Sequence, residues 1–161
     1  MEELCEPNVV AHSKAVCESA REIALLLLDK GLDVDVESVE IGALLHDIGR
    51  SESHGIDHGV IGARILENNP ELRAYSRFCL THIGAGISRD EASALGLPAK
   101  DYMPRSIEEK IVAHADNITL DGKKADINET IKKMKKILGA HHPAISRVRE
   151  LGGYIDSFLY E

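Results

Sequence analysis

The sequence is poor in the residues that support disulfide-rich, aromatic-rich or membrane-spanning proteins. Its 161 residues include no Trp, 2 Phe, 4 Tyr and 3 Cys, and no CxxC pair occurs. Scattered cysteines cannot form a disulfide framework, and we expect Cys17 and Cys79 to be small buried apolar residues. The longest apolar run, 23–28, is too short to cross a bilayer. The acidic N-terminus lacks the apolar core of a signal peptide. These absences predict a soluble, cytoplasmic protein with no membrane partner.

Positive charge is also scarce in the first part of the chain. Residues 1–100 contain 9 Lys or Arg against 17 Asp or Glu, residues 101–161 contain 10 of each, and the formal net charge is -8. This charge disfavours non-specific nucleic-acid binding by the surface as a whole. This acidic part also contains most of the residues considered below as metal ligands, so a bound cation would offset some of its charge. The alternative explanation for the acidity is that it keeps the protein soluble.

What the sequence does contain is the pattern of an all-α protein. No β-hairpin dipeptide separates alternating apolar runs, and Ala, Leu, Glu and Lys are abundant, so we expect a helical bundle. No repeat or low-complexity segment occurs, and the length suits a single domain over residues 1–161. The apolar spacing predicts helices at 9–30, from 35 or 36 to 49, 58–67, 70–82, 106–118, from 126 or 128 to 138 and from 143 onward, with a short turn at 88–94.

Several residues predict where these helices begin. Asn8 and Asp57 are suited to cap the first and third helices, and Pro70 suits the first turn of the fourth. Ser106 and Glu109 have the spacing of a capping box, in which each side chain binds the backbone N–H of the other residue.

One tetrapeptide, His46-Asp47-Ile48-Gly49, combines two metal-ligand types at the end of an apolar run. Imidazole nitrogen and carboxylate oxygen both bind divalent transition metals. Adjacent ligands can reach one ion only if the backbone turns, and we expect Gly49 to permit the turn through a positive φ. The alternative for Asp47 is a helix cap.

Four further residues extend this pattern in helical settings: His12, His58, His82 and Asp116. Each has another interpretation. His12 could be a hydrogen-bonded core histidine, His58 a solvated first-turn residue, and His82 a partner of the helix dipole. We place Asp116 near the middle of its helix, where a carboxylate must be exposed or paired. His54, His114, His141 and His142 have weaker settings, the last two in a surface turn. Helix bundles commonly build metal sites from side chains on facing helices.

The ordered series His12, His46-Asp47, His58, His82 and Asp116 resembles the HD-domain (HDIG-type) superfamily of metal-dependent phosphohydrolases. The flanking residues 44–49 and 111–116 fit as well, and the resemblance covers about residues 9–120. It divides the chain into this motif-bearing core and a C-terminal helical extension over 122–161.

The resemblance implies a ligand set for one or two divalent ions. His12, His46, Asp47 and Asp116 would bind the first ion. His58 and His82 would hold the second, with Asp47 bridging, as in the branch that includes diadenosine tetraphosphate hydrolases and cyclic-dinucleotide phosphodiesterases. Mixed N/O ligation suits Fe, Mn, Ni, Co or Zn.

The resemblance also suggests a catalytic pair. The metal would lower the pKa of a bound water, Asp47 would orient that water, and Arg50, where many members have lysine, would meet a substrate phosphate. The cyclic-dinucleotide branch follows its downstream histidine with another His and Gly-Tyr-Pro. Here His82 is followed by Ile-Gly-Ala-Gly, which argues against that activity.

Three functions remain open from the sequence. The leading hypothesis is hydrolysis of a phosphoester or phosphoanhydride bond in a small phosphorylated substrate, and a nucleotide is the favoured candidate for that substrate. The second is a non-catalytic nucleotide- or metal-binding module that regulates a partner. The third is an RNA-processing phosphodiesterase, suggested by the lysines at 123–124 and 132–136, although short charge runs commonly form a solvated helix face. The sequence also leaves open a homo-oligomer.

Overall fold

The structure, a computed structural model, describes residues 1–160 and is built from helices. Eight α-helices follow in chain order: α1 Pro7–Asp29, α2 Val36–Leu45, α3 His58–Glu67, α4 Ser76–Thr81, α5 Arg89–Ala94, α6 Ile107–Asn117, α7 Ile127–Leu138 and α8 Pro143–Leu159. Short 3-10 turns occupy Ile48–Ser51, Arg73–Tyr75 and Ile83–Ala85. The all-α class predicted from composition is therefore correct.

The main hydrophobic core lies where α1, α2 and α6 pack together. Its fully buried members include Val16 and Leu27 of α1, Val39 of α2 and Ile111 of α6. Ile155 of α8 reaches the same core, so the C-terminal helix packs on the helices that carry the predicted motifs. A second cluster, around Leu66 and Cys79, joins α3 to α4.

Bidentate ion pairs connect the helices at two places. Arg77 of α4 donates to both carboxylate oxygens of the buried Glu109 of α6, at 2.6 and 3.0 Å. Arg147 of α8 contacts both oxygens of Glu91 of α5, at 3.0 and 2.9 Å. These pairs attach α4 to α6 and α8 to α5.

Several predicted helix starts need correction. The first helix begins at Pro7 rather than after Asn8, because proline supplies the φ of the first turn without an N–H to satisfy. Asp57 does precede α3, but its carboxylate accepts from the Ser53 hydroxyl instead of capping the helix. The box at Ser106 is half formed, since the Glu109 carboxylate is engaged by Arg77.

The predicted helix over 70–82 is instead a turn, a 3-10 segment and the six-residue α4. The complete capping box is at Ser88 and Glu91, and it confirms that Ser88 caps the short segment expected at 88–94.

A small antiparallel hairpin, β1 Thr119–Leu120 and β2 Lys123–Lys124, was not predicted. Asp121 and Gly122 form its two-residue connection with φ of 51° and 73°. Positive φ at both positions is the backbone that Asp-Gly favours in two-residue hairpins. The dipeptide was overlooked because its flanking strands are only two residues long.

Candidate metal centre

Five segments of the chain bring six polar side chains to one place. α1 supplies His12 from its second turn, the end of α2 supplies His46 and Asp47, and α3 begins with His58. His82 follows α4 directly, and Asp116 lies in the last turn of α6, not near its middle as the sequence suggested.

Gly49 allows two of these segments to approach closely. A Cβ added to Gly49 would lie 2.6 Å from the amide nitrogen of Gly62 and closer still to the carbonyl oxygen of His58. The residue is not among the glycines with positive φ, so the expected reason for a glycine here is wrong. A side chain is excluded because the 3-10 turn rests directly on the backbone of α3.

Backbone carbonyls fix the orientation of three imidazole rings. The Nδ1 atoms of His46, His58 and His82 lie 2.6, 2.7 and 3.2 Å from the carbonyl oxygens of Ala43, Gly55 and Phe78 respectively. A carbonyl only accepts, so each Nδ1 must carry the proton. In the neutral ring the Nε2 lone pair is then left free for a metal.

Asp47 stands between two groups of imidazoles. Its Oδ1 is 3.2 Å from Nε2 of His58 and 3.4 Å from Nε2 of His82. Its Oδ2 is 3.8 Å from Nε2 of His46 and accepts from Nε of Arg50 at 2.8 Å. The two carboxylate oxygens therefore face opposite halves of the cluster.

The second carboxylate, Asp116, joins the other two histidines. Nε2 of His12 is 2.9 Å from Oδ1 of Asp116, and Nε2 of His46 is 3.6 Å from the same oxygen. The ligand atoms form two overlapping groups that share His46, one with His12 and Asp116 and the other with Asp47 and His82.

The donor set fits a cation. His46 Nε2 and Asp47 Oδ1 are buried and make no hydrogen bond, although histidine nitrogens surround Oδ1 at more than 3 Å. The Nε2 atoms of His58 and His82 are only 3.2 Å apart. Converging lone pairs and carboxylate oxygens repel one another unless a positive charge lies among them. Nitrogen and carboxylate ligands together suit a divalent transition metal.

The pKa of His46 reports the negative field of the two carboxylates, and the pKa of Asp47 reports the imidazoles around it. Burial alone would lower the pKa of His46, but the carboxylates of Asp47 and Asp116 outweigh it and raise the pKa to about 9. Burial would raise the pKa of Asp47, yet His46, His58 and His82 hold it well below its usual range. A site that draws a proton onto a buried imidazole also attracts other cations.

An open pocket of about 250 Å³ borders the cluster. Besides His12 and Asp47, it is lined by Asn8, Val9, Arg50 and His54. From the sequence, Asn8 is expected only to cap a helix, and His54 is a weak ligand candidate. The only sequence feature that points to them is their position: Asn8 lies close to His12, and His54 lies between His46 and His58.

The remaining candidates lie away from the cluster or have other surroundings. His114 is buried, but its ring lies beside Gly152 of α8. His141 is exposed, while His142 accepts from the N–H of Ala144 and caps α8. His58, in contrast, is buried rather than solvated, with 4% of its surface exposed.

The chain is similar in sequence to several known proteins. Residues 9–121 match the sequence profile of the HD domain. An uncharacterized protein of Methanocaldococcus jannaschii is 50% identical over 159 residues, 99% of this chain and 94% of the relative. No solved structure was found to match the chain.

Two further relatives are longer proteins with RNA-related names. A tRNA (cytidine(56)-2'-O)-methyltransferase of Picrophilus torridus is 41% identical over 83% of this chain, which spans 38% of that protein. A Ribonuclease Y of Thermosipho melanesiensis is 29% identical over 79% of this chain, and this chain spans 23% of the length of that protein.

None of the helices described within residues 1–160 combines the length and the apolar composition that a membrane span needs.

Proposed function

The chain belongs to the HD domain family, and from that premise we propose that it is a metal-dependent phosphohydrolase. It cleaves a phosphoester or phosphoanhydride bond, and a nucleotide is the substrate class that we favour. The observation that carries this proposal is the convergence of His58 Nε2, His82 Nε2 and Asp47 Oδ1 within 3.2 to 3.4 Å of one another. This geometry favours a bound cation, and the family supplies the reaction class.

Two groups of residues would hold the ions in this proposal. One is His12, His46 and Asp116, and the other is His58 and His82. Asp47 lies between them, with Oδ2 towards His46 and Oδ1 towards His58 and His82, so both groups would share it. Fe, Mn, Ni, Co and Zn all accept such mixed ligation.

A divalent ion held there supplies Lewis-acid activation of water and of the phosphoryl group. The residues of the chain itself position the attacking water and the phosphate and neutralise negative charge. Asp47 orients the attacking water through its carboxylate and holds Arg50 through Nε. Because only Nε is engaged by that bond, the terminal nitrogens of the Arg50 guanidinium are available to a phosphate in the adjoining pocket, where they stabilise developing negative charge.

The pocket suits the phosphate part of a substrate more than a base. Five of its six lining residues are polar or charged, and Val9 is the one apolar side chain. The lining contains no Phe, Tyr or Trp on which a base could stack, and its only rings are the imidazoles of His12 and His54. We therefore expect discrimination among phosphate linkages to exceed discrimination among bases.

The test is hydrolysis of a panel of nucleotides by protein loaded in turn with each metal, followed both by phosphate release and by chromatography of the nucleotide products. We expect turnover of at least one phosphoester or phosphoanhydride and little dependence on the base. Metal content measured on the same samples makes a negative result decisive. A loaded protein that binds nucleotides but hydrolyses none of them would instead indicate a regulatory binding module.

RNA phosphodiester cleavage is the second candidate. It is favoured by the names of the longer relatives, a tRNA methyltransferase and a Ribonuclease Y. Cleavage of an unmodified RNA by the loaded protein, lost on chelation, would select this candidate over nucleotide hydrolysis.

A further inference from the structure

We propose that the solvent-facing side of α7 binds the phosphate backbone of RNA, independently of the chemistry at the metal centre. This surface, the α7 lysine face, is formed by Lys132, Lys133, Lys135 and Lys136. The choice of RNA rather than DNA rests on the RNA candidate above. The binding surface itself rests on charge and exposure.

The charge of most of α7 is opposite in sign to that of the molecule. Residues 130–138 contain four Lys and no Asp or Glu, although Asp126 and Glu129 precede them, in a chain of formal net charge -8. A local positive field on an otherwise acidic protein directs a polyanion to one face and repels it from the rest.

The lysines of this face are exposed and mostly unpaired. Lys133 is 3.5 Å from Asp121, and within residues 1–160 the other three have no carboxylate within ion-pair distance. Lys132 and Lys136 lie one helical turn apart, about 6 Å along the axis. Exposed lysines that follow one another along a helix in this way suit successive phosphates of a polymer.

The opposite side of α7 is already occupied, which argues against a membrane surface as the partner. Ile131 is 3% exposed and packs with Ala85, Ala113 and Ile145 in one apolar cluster. An interfacial membrane helix needs its apolar face free to enter lipid. Here the exposed apolar side chains of α7 are confined to Ile137 and Leu138 at its end.

The lysine face is attached close to the metal centre. The Thr130 hydroxyl of α7 donates to the carbonyl oxygen of Asn117 at 2.6 Å, and Asn117 is the neighbour of Asp116. At the start of α8, Cβ of Ala144 lies 3.4 Å from the Cβ position of Gly84, two residues after His82. The α7–α8 unit is thus fixed against two segments that supply candidate ligands.

The test is fluorescence anisotropy of a labelled RNA hairpin bound to the full chain across a salt series. We expect affinity that falls steeply with salt, as for counterion release. Lys132→Gln combined with Lys136→Gln should weaken binding roughly tenfold and reduce the log–log salt slope by about two, since each phosphate contact contributes about one. The matched control is Lys30→Gln with Lys100→Gln, which makes the same charge change at exposed lysines elsewhere.

Four results would overturn the proposal. They are no RNA binding at about 50 mM salt, equal weakening by both double variants, binding of a DNA duplex but not of RNA, and binding of anionic lipid vesicles but not of RNA. All four substituted side chains are exposed, so circular dichroism should show unchanged folding. Because the readout is binding, its failure is distinguishable from failure of the phosphohydrolase assay.

Discussion

At the scale of single residues, the candidate centre depends on Asp47. Its two oxygens face different histidines, and it also holds Arg50. Asp47→Asn keeps the shape of the side chain but removes its charge, so we expect metal content to fall to a small fraction of the wild-type value. Hydrolysis should fall at least about 100-fold. Elemental analysis and phosphate release on the same preparation measure both effects.

The control is Asp57→Asn, since Asp57 accepts from Ser53 and is not part of the cluster. It should retain wild-type metal content. Full metal content in Asp47→Asn would exclude Asp47 as a ligand.

Gly49 and Gly153 provide a contrast at the same scale. A methyl group at Gly49 would collide with the backbone of α3, whereas one at Gly153 of α8 would meet nothing within 4 Å. We expect Gly49→Ala to destabilise by more than about 3 kcal/mol. Gly153→Ala should stabilise by about 0.5 to 1 kcal/mol, because alanine favours helix. Urea unfolding measures both. A Gly49→Ala variant as stable as wild type would mean that the 3-10 turn does not rest on α3.

The residue types and their order were readable from the sequence, but the reasons for their placement were not. Helical periodicity put His12 on or beside a buried face, and the structure brings it to Asp116. The carbonyl partners that orient His58 and His82, and the contact that excludes a side chain at Gly49, arise only between segments distant in sequence. Periodicity within one helix carries no information on such contacts.

At the scale of elements, the ion pair between Glu91 and Arg147 attaches α5 to α8. The Glu91 carboxylate also accepts from the backbone N–H of Ser88, which completes the cap of α5. Burial would raise the pKa of Glu91, but Arg147 and Ser88 outweigh it and lower the pKa from its ordinary value of 4.5. A carboxyl group whose pKa is lowered by folding stabilises the folded state at pH values above its pKa in the unfolded chain. This stabilisation is lost as pH falls below about 4.5.

We therefore expect Glu91→Gln to cost about 1 to 2 kcal/mol near pH 7. The difference from wild type should shrink as pH falls below about 4.5. Unfolding curves at several pH values measure it, with Glu150→Gln on the exposed side of α8 as control. A difference that does not change with pH would mean that the charge of Glu91 contributes nothing.

Most long periodic helices were predicted well, although α2 ends at Leu45 and not at Gly49, and short elements were not predicted well. The range of α3 and its start at His58 match the prediction, because an apolar repeat follows a clear break. The segment over 70–82 is split into a turn, the 3-10 segment and α4, and the last two contact both α2 and α3, which local spacing does not encode. The hairpin at 119–124 was missed because two-residue strands have no alternation to detect.

At the scale of the whole molecule, the proposed metal ligands connect five segments, so metal binding should stabilise the entire fold. We propose that residues 1–161 unfold as one unit. At a free metal concentration of 100 times its dissociation constant, linkage gives about 2.7 kcal/mol, or roughly 5 to 11 °C in Tm. Calorimetry before and after verified stripping measures it. An unchanged Tm would contradict the ligand set, and two separate transitions would contradict the single unit.

The most direct test of the central claim, that these residues form a metal centre, is anomalous diffraction from crystals grown with Mn²⁺ or Co²⁺. The account predicts a peak within the group of His12, His46 and Asp116, a peak beside His58 and His82, or both, with Asp47 adjacent. Anomalous peaks elsewhere on the molecule, with none at this cluster at full metal loading, would contradict it.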